Sequence, residues 1–321
     1  MSRRGDARKK SFWPIDVYED YVDKHAPAME RRELLDPRGE RDQDNKNIVL
    51  ANDSMPIWMA FNTIVNLDPG NFRNLAATYR LETRQHISSV RGWLAQIKQW
   101  GTGRALLKEV RSSDAMDVRI VPYRGPGVEA YTNMEDEVAG TGKWRMVDPY
   151  KFGDIRTGTG VGSDALIEFT PEVFQGPDMR LPGHAPDEVL FHELVHASRI
   201  MRGVYRPSFI NRDYEDYEEY VAISIANIYL SEKGQQTLKG DHNFRGARLK
   251  GKKLDNFMNN SQDINLPPMQ LMDEFKQNQP DFYRDLSNLP RERPKYNWVR
   301  IHKERRDFQE FVRPRDRTGI F

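Results

Sequence analysis

One apolar stretch, VLFHELVHASRIM (residues 189–201), carries two histidines and a glutamate where a helix would turn apolar side chains toward the core. Pro186 before the stretch and Gly203 after it are typical of the first turn and the end of a helix. His192 and His196 are four residues apart, so a helix places them one turn apart on the same face. Buried polar groups need partners, and the stretch therefore predicts a helix whose two imidazoles share one partner.

That partner is predicted to be a metal ion. The sequence HELVH has the H-E-x-x-H spacing, in which two neutral imidazoles bind Zn²⁺ and the glutamate acts as general base. Here His192 and His196 would be ligands, and Glu193 would take a proton from water. The chain contains no cysteine, so any metal must take nitrogen or oxygen ligands. We expect one zinc ion per chain, with three protein ligands and one open position.

The third ligand is predicted on the next helix, in the stretch RDYEDYEEYVAISIANIY. Glu218 and Glu219 follow His196 by 22 and 23 residues. Both have small or apolar residues one turn further along, so helical periodicity does not separate them. A third histidine in an extended motif is excluded, because Arg199 and Arg202 occupy the positions that such a motif gives to glycine and histidine.

The order of the remaining patterns predicts an α+β fold with a small mixed or antiparallel sheet. Alternating β-branched residues predict strands at 117–123 and 164–171, and we expect the second to be an edge strand that pairs with extended substrate. Helical spacing over 71–110 is expected to break at Gly101 and Gly103. The glycines of GTGVGSD before the second strand indicate a turn, because a phosphate-binding loop would open a helix. We predict a flexible N-terminal segment (1–45), a catalytic domain (46–244) and a basic, helical C-terminal extension (245–321).

Charge and hydropathy limit the other classes of function. The 49 basic and 48 acidic residues give a net charge of +1, which argues against nucleic acid as the main partner despite basic clusters near the C-terminus. No apolar run has the length of a signal peptide or a membrane span. The zinc site with its general base indicates a zinc-dependent endopeptidase. Two alternatives stay open: a zinc-bearing docking module that acts through the C-terminal region, and a housekeeping cytosolic zinc peptidase.

The two helical stretches, FHELVHASRIMRG and YEEYVAISIANIY, resemble the effector-type zinc metallopeptidases that bacteria inject through systems such as type III secretion. That group is in turn similar to the clostridial neurotoxin light chains. The stretches GTGRALLKEV (101–110) and ALIEFTPEVF (165–174) are also similar. The resemblance implies a zincin-like core, with Glu219 as the third ligand.

The resemblance also implies a toxin or virulence factor that cleaves a particular protein. It would be made in the producer's cytosol, secreted without a cleaved signal peptide, and delivered into a target cell. A secretion apparatus or chaperone would then be a further partner.

Peptidases of this kind need a donor that stabilises negative charge on the scissile carbonyl oxygen. His242, in KGDHNFRG, is the first candidate, and Tyr205 and Arg245 are weaker ones. Asn227 and Asp216 are candidates for orienting a metal ligand.

Overall fold

A computed structural model of the chain describes residues 40–51, 69–113, 115–134, 158–176, 181–208, 214, 216–242, 248–250, 252–257 and 268–312. The chain divides into two compact units, residues 1–39 with 53–84 and residues 40–52 with 85–321. Of the first unit, the described part is the start of one long helix. The predicted flexible segment 1–45 falls largely outside the described residues. The predicted division at residue 244 stays a prediction, although the second unit includes both sides of it.

A five-stranded mixed sheet forms one layer of the second unit. Its order is β1-β2-β3-β5-β4, with β2, β3 and β5 parallel and the two outer strands antiparallel to their neighbours. The strands are β1 (Glu40–Arg41), β2 (Ile48–Leu50), β3 (Val118–Val121), β4 (Tyr131–Met134) and β5 (Ala165–Glu168). A short 3₁₀ turn, Pro171–Phe174, follows β5. The α+β class with a small mixed sheet is thus confirmed, and strands β1 and β2, which were not predicted, precede the first described helix.

The prediction that the strand at 164–171 lies at an edge of the sheet is wrong. The segment predicted at 164–171 forms β5, which lies between β3 and β4. Within the described residues, β4 is at that edge of the sheet instead. Its sequence, Tyr-Thr-Asn-Met, is short and polar, so it lacks the alternating apolar pattern by which strands are recognised.

Helices build the rest of the described chain. They are α1 (Pro69–Lys98), α2 (Gly101–Arg111), α3 (Pro186–Met201), α4 (Tyr217–Glu232), α5 (Lys252–Phe257), α6 (Pro268–Asn278), α7 (Pro280–Ser287) and α8 (Trp298–Val312). A two-stranded ribbon, β6 (Leu238–Lys239) with β7 (Arg248–Leu249), follows α4. Helix α3 packs against α2, α4, β4 and β5, while α7 and α8 pack against α2 and α4 respectively.

The break between α1 and α2 comes slightly earlier than expected. Gly101 is the first residue of α2 rather than a break, and its N–H donates to the carboxylate of Glu232 at 2.8 Å. Gly103 lies within α2, where a Cβ atom would come 1.9 Å from the carbonyl oxygen of Ile97. These glycines therefore permit close packing of the backbone at the junction of the two helices.

The glycine-rich stretch before β5 packs on the end of α3, as expected of a turn. Gly160 N–H donates to Gly203 O at 2.8 Å, and Ser163 N–H donates to Ile200 O at 3.2 Å. Gly162 has a φ of +78°, and a Cβ atom there would lie 2.0 Å from Met201 O. Because the last carbonyls of a helix lack partners within the helix, this contact fixes the C-terminal end of α3.

Candidate metal centre

Helices α3 and α4 carry the predicted site, and local capping fixes the start of each. Pro186 occupies the first turn of α3, where its missing N–H leaves no donor unsatisfied. The Glu188 carboxylate accepts the N–H of Gly183 at 2.9 Å. Asp216 caps α4 by accepting the N–H of Glu219 at 2.8 Å, a common arrangement for an acidic residue at a helix start.

The structure brings three side chains to one point between these helices. His192 Nε2 lies 3.1 Å from His196 Nε2 and 3.1 Å from Glu219 Oε2. His196 Nε2 lies 3.2 Å from Glu219 Oε1. One ligand atom from each of the three residues lies within 4.8 Å of those from the other two. The cluster can therefore hold a metal ion.

The donor atoms also suit zinc. A tetrahedral zinc ion with nitrogen and oxygen ligands at about 2.0–2.1 Å has ligand atoms about 3.3 Å apart. The observed separations of 3.1, 3.1 and 3.2 Å are close to this value. The imidazoles of His192 and His196 are buried, and the Glu219 side chain is 16% exposed. The residues present thus fit a metal ion.

Burial and the facing charges set the protonation of this cluster. Burial lowers the pKa of His192 to about 3, so this imidazole is neutral, as a metal ligand must be. Burial alone would lower the pKa of His196 as well, but the carboxylates of Glu219 and Glu218 together raise it well above its usual value. Burial would raise the pKa of Glu219, but His196 and His192 hold it well below its usual value.

Glu193 lies beside the cluster and is held by the edge strand. The Thr132 hydroxyl of β4 donates to Glu193 Oε2 at 2.6 Å and also lies 3.1 Å from the Glu193 carbonyl oxygen. Burial raises the pKa of Glu193, whereas the charge of His196 and the Thr132 hydrogen bond oppose this rise. The arrangement can hold a carboxylate as a proton acceptor next to a metal ion.

The two candidate glutamates occupy different positions. Glu219 belongs to the three-residue cluster, whereas Glu218 is fully buried behind His196, with Oε1 3.5 Å from His196 Nδ1. Glu218 accepts hydrogen bonds from Arg199 Nε at 2.6 Å and from Arg206 N at 3.1 Å. The geometry therefore favours Glu219 as the ligand.

His242 lies next to the cluster. Its Nε2 is 3.4 Å from Glu219 Oε2, and its ring stacks with that of His192 at 6.4 Å between centroids. Tyr205 is also near, with its ring 6.3 Å from that of His196. Arg245, the third candidate donor, lies outside the described residues. The structure thus places His242 and Tyr205 at the site, and their roles stay predictions.

Asp216 and Asn227, which were expected to orient a metal ligand, form hydrogen bonds to backbone groups. Asp216 accepts the N–H of Glu219, and burial raises its pKa to about 7. The side-chain amide of Asn227 donates to Lys239 O and accepts from Lys239 N, both at 2.8 Å. Asn227 thus fixes strand β6, three residues before His242, rather than a metal ligand.

The sequence patterns did not indicate two residues that lie near the site, Thr132 and Lys239. Thr132 lies on a strand that was not predicted, so nothing marked it. Lys239 packs its stem over Gly183, where a Cβ atom would lie 2.8 Å from Lys239 Cδ. Burial lowers the pKa of Lys239, and the charges of Glu219 and Glu193 oppose this shift. A lone lysine in a polar turn carries no signal by which its place could be inferred.

The fold and the site together define an α+β protein with a candidate His-His-Glu metal centre and an adjacent carboxylate. None of the helices in the described part of the chain is both long and apolar enough to cross a membrane. Comparison with known families matches residues 82–243 to the peptidase family Peptidase_M91, whose members are described as "Effector protein". The chain belongs to this family and is therefore a peptidase of the effector class. No curated protein and no solved structure matches the chain significantly.

Proposed function

We propose that the chain is a zinc-dependent endopeptidase that cleaves a specific protein after delivery into a target cell. His192, His196 and Glu219 would hold one zinc ion, and Glu193 would be the general base. The observation that carries the proposal is the convergence of the two imidazole nitrogens and the Glu219 carboxylate at 3.1–3.2 Å. Membership of an effector peptidase family supports the same conclusion.

The bound metal would polarise the scissile carbonyl and lower the pKa of the attacking water. Glu193 accepts the proton that this water loses as its oxygen adds to the carbonyl carbon. When the C–N bond breaks, Glu193 returns the proton to the leaving amine, so that a carboxyl and an amine terminus are formed. The Thr132 hydroxyl, 2.6 Å from Glu193 Oε2, keeps the carboxylate in one orientation during both transfers.

The substrate would bind as an extended strand along β4. This strand is at the sheet edge within the described residues, and Thr132 connects it directly to Glu193. Backbone pairing with an edge strand binds a polypeptide regardless of its side chains. His242, 3.4 Å from Glu219, is the proposed donor to the carbonyl oxygen as negative charge develops there,.

Three measurements on the purified full chain test this proposal. Elemental analysis should find close to one zinc per chain. Glu193→Gln should keep the zinc and abolish cleavage, because the amide cannot accept the proton. Glu219→Ala should lose the zinc, because one of three ligands is removed. The substrate can be found by comparing new N-termini in target-cell lysate treated with wild type or with Glu193→Gln.

The outcomes separate the proposal from its rivals. A native protein that binds no zinc would exclude a metallopeptidase. Zinc retention together with full biological effect in Glu193→Gln would indicate a docking function instead of catalysis. Cleavage confined to proteins of the producing cell would indicate a housekeeping peptidase.

A further inference from the structure

A buried row of polar side chains leads from the metal centre to the C-terminal helices. Glu218 Oε1 lies 3.5 Å from His196 Nδ1 and accepts Arg199 Nε at 2.6 Å. Arg199 Nη1 then donates to Gln279 Oε1 at 3.3 Å. Glu218, Arg199 and Gln279 are 0%, 5% and 1% exposed. Water therefore does not screen these contacts, and each group depends on its protein partners.

Gln279 is the residue at which helix α6 gives way to α7. It precedes the first residue of α7, and its backbone N–H donates to Phe275 O of α6 at 2.9 Å. Its side-chain Nε2 donates to Glu109 Oε1 of α2 at 3.1 Å. Hydrogen bonds to α6 and α2 thus hold Gln279 in place. Its side-chain oxygen can therefore hold Arg199 in place.

A second connection reaches the same carboxylate. Arg206 N donates to Glu218 Oε2 at 3.1 Å, and Arg206 Nη1 pairs with Glu274 Oε2 of α6 at 2.5 Å. Both oxygens of Glu218 are therefore held. Gln279 and Glu274 lie beyond residue 243, where the match to the family ends.

The role of Glu218 follows from the chemistry of a histidine ligand. When Nε2 binds a metal, Nδ1 must carry the proton, and a carboxylate facing Nδ1 favours this tautomer and fixes the ring. His196 Nδ1 is buried and makes no hydrogen bond in the described part of the chain. The Glu218 carboxylate at 3.5 Å is the negative charge that faces it.

We propose that Glu218, Arg199 and Gln279 form a positioning chain through which the C-terminal helices hold His196 in place as a metal ligand. The inference rests on the proposed metal centre. It assigns the C-terminal segment a part in that centre, in addition to any role in docking. None of the three residues is expected to contact the substrate, so they are positioning residues.

The test compares zinc affinity in full-length variants, using competition with a chromophoric chelator. Glu218→Gln keeps the shape but removes the charge, and it should weaken zinc binding by about 10–100-fold. Gln279→Leu leaves Glu218 and Arg199 intact but ends the connection to α7, and it should weaken binding by roughly threefold to tenfold. The visible spectrum of the Co²⁺-loaded protein should change in both variants, because the orientation of the His196 ring affects the metal's geometry.

A matched control is the buried ion pair at the other end of the same two helices. Asp187 accepts the Tyr229 hydroxyl at 2.7 Å and Lys233 Nζ at 2.6 Å, and it contacts none of the proposed ligands. Asp187→Asn should lower the midpoint of thermal unfolding about as much as Glu218→Gln. Because Lys233 keeps its pairing with Glu188 at 2.7 Å, that end of the two helices should keep its placement, and zinc affinity and the Co²⁺ spectrum should stay unchanged.

The inference is overturned if Glu218→Gln and Gln279→Leu bind zinc within twofold of wild type, or if Asp187→Asn weakens binding equally. Should Glu218→Gln fail to fold, Gln279→Leu decides the question alone. If the wild type binds zinc and cleaves substrate, and the variants bind zinc as tightly as it does, only the positioning chain is refuted. Wild type that binds no zinc refutes the proposed function itself.

Discussion

Replacing Thr132 with valine tests whether strand β4 holds Glu193, the proposed general base. Valine has nearly the shape of threonine but lacks the hydroxyl that donates to Glu193 Oε2 at 2.6 Å. A hydrogen bond to a charged group contributes about 1.5–3 kcal/mol. If this energy serves to orient Glu193 during proton transfer, kcat should fall by about 10- to 150-fold, since 1.36 kcal/mol corresponds to a factor of ten in rate.

The assay measures kcat and KM separately on a peptide that spans the cleavage site found by N-terminal mapping. Thr132→Ser restores the hydroxyl and should recover most of kcat. Zinc content should stay at the wild-type value, because the described contacts of the Thr132 hydroxyl are with Glu193 and not with the three proposed ligands. A kcat within twofold of wild type would refute the reasoning, and a rise in KM alone would assign Thr132 to substrate binding instead.

Two further predictions concern stability. Burial lowers the pKa of His86 to about 4 from 6.5. The unfolded chain therefore binds a proton at this position before the folded chain does, and the free energy of unfolding should fall by up to about 3 kcal/mol between pH 6.5 and pH 4. Urea unfolding at several pH values should show a smaller fall for His86→Asn, and an identical fall would contradict this account. Glu232 accepts the N–H groups of Gly101 and Thr102 at 2.8 Å and the Thr102 hydroxyl at 2.6 Å. Glu232→Ala should lower the free energy of unfolding by roughly 2–4 kcal/mol, because it leaves buried donors at the start of α2 without an acceptor. Urea titrations at constant zinc content measure this loss, and a loss under about 1 kcal/mol would contradict the account.

The helices of the site could be predicted because their signals are local. Pro186 and Gly203 bracket α3 in the sequence, and the structure ends the helix at Met201, two residues before the glycine. Helix α4 begins at Tyr217, directly after its cap Asp216. The sequence offers both Asp213 and Asp216 as suitable caps, and the structure uses Asp216, which accepts the N–H of Glu219.

The strands were harder to predict because their pairing is not local. Strand β2 has three residues, all buried, and such a short run carries no period. It lies between β1 and β3 in the sheet, and its Ile48 pairs with Val118 of β3, 70 residues further along the chain. Strand β4 was missed because it is short and polar, and the position of Thr132 beside Glu193 was missed with it.

The choice between Glu218 and Glu219 shows where helical periodicity reaches its limit. The two residues are about 100° apart on α4, and both face other protein groups rather than open solvent. Which one reaches the imidazoles depends on how far α4 is rotated and shifted against α3. That placement depends on side chains distant in the sequence, so the motif on α3 alone could not decide it.

Contacts at three levels fix this placement. Near the start of α3, Lys233 pairs with Asp187 at 2.6 Å and with Glu188 at 2.7 Å. Next to His192, the ring of Phe191 stacks on that of Tyr229 with centroids 4.4 Å apart and planes 6° apart. Toward the end of α3, Arg199 pairs with Glu218 at 2.6 Å.

The histidines lie between the two ion pairs along α3. A slide or rotation of one helix against the other would therefore break a buried ion pair at one end or the other. Breaking such a pair is expensive because it leaves an unpaired charge in the interior. The same contacts that fold the two helices together thus hold the two imidazoles and the Glu219 carboxylate close together, so that the proposed metal ion would bind with little rearrangement.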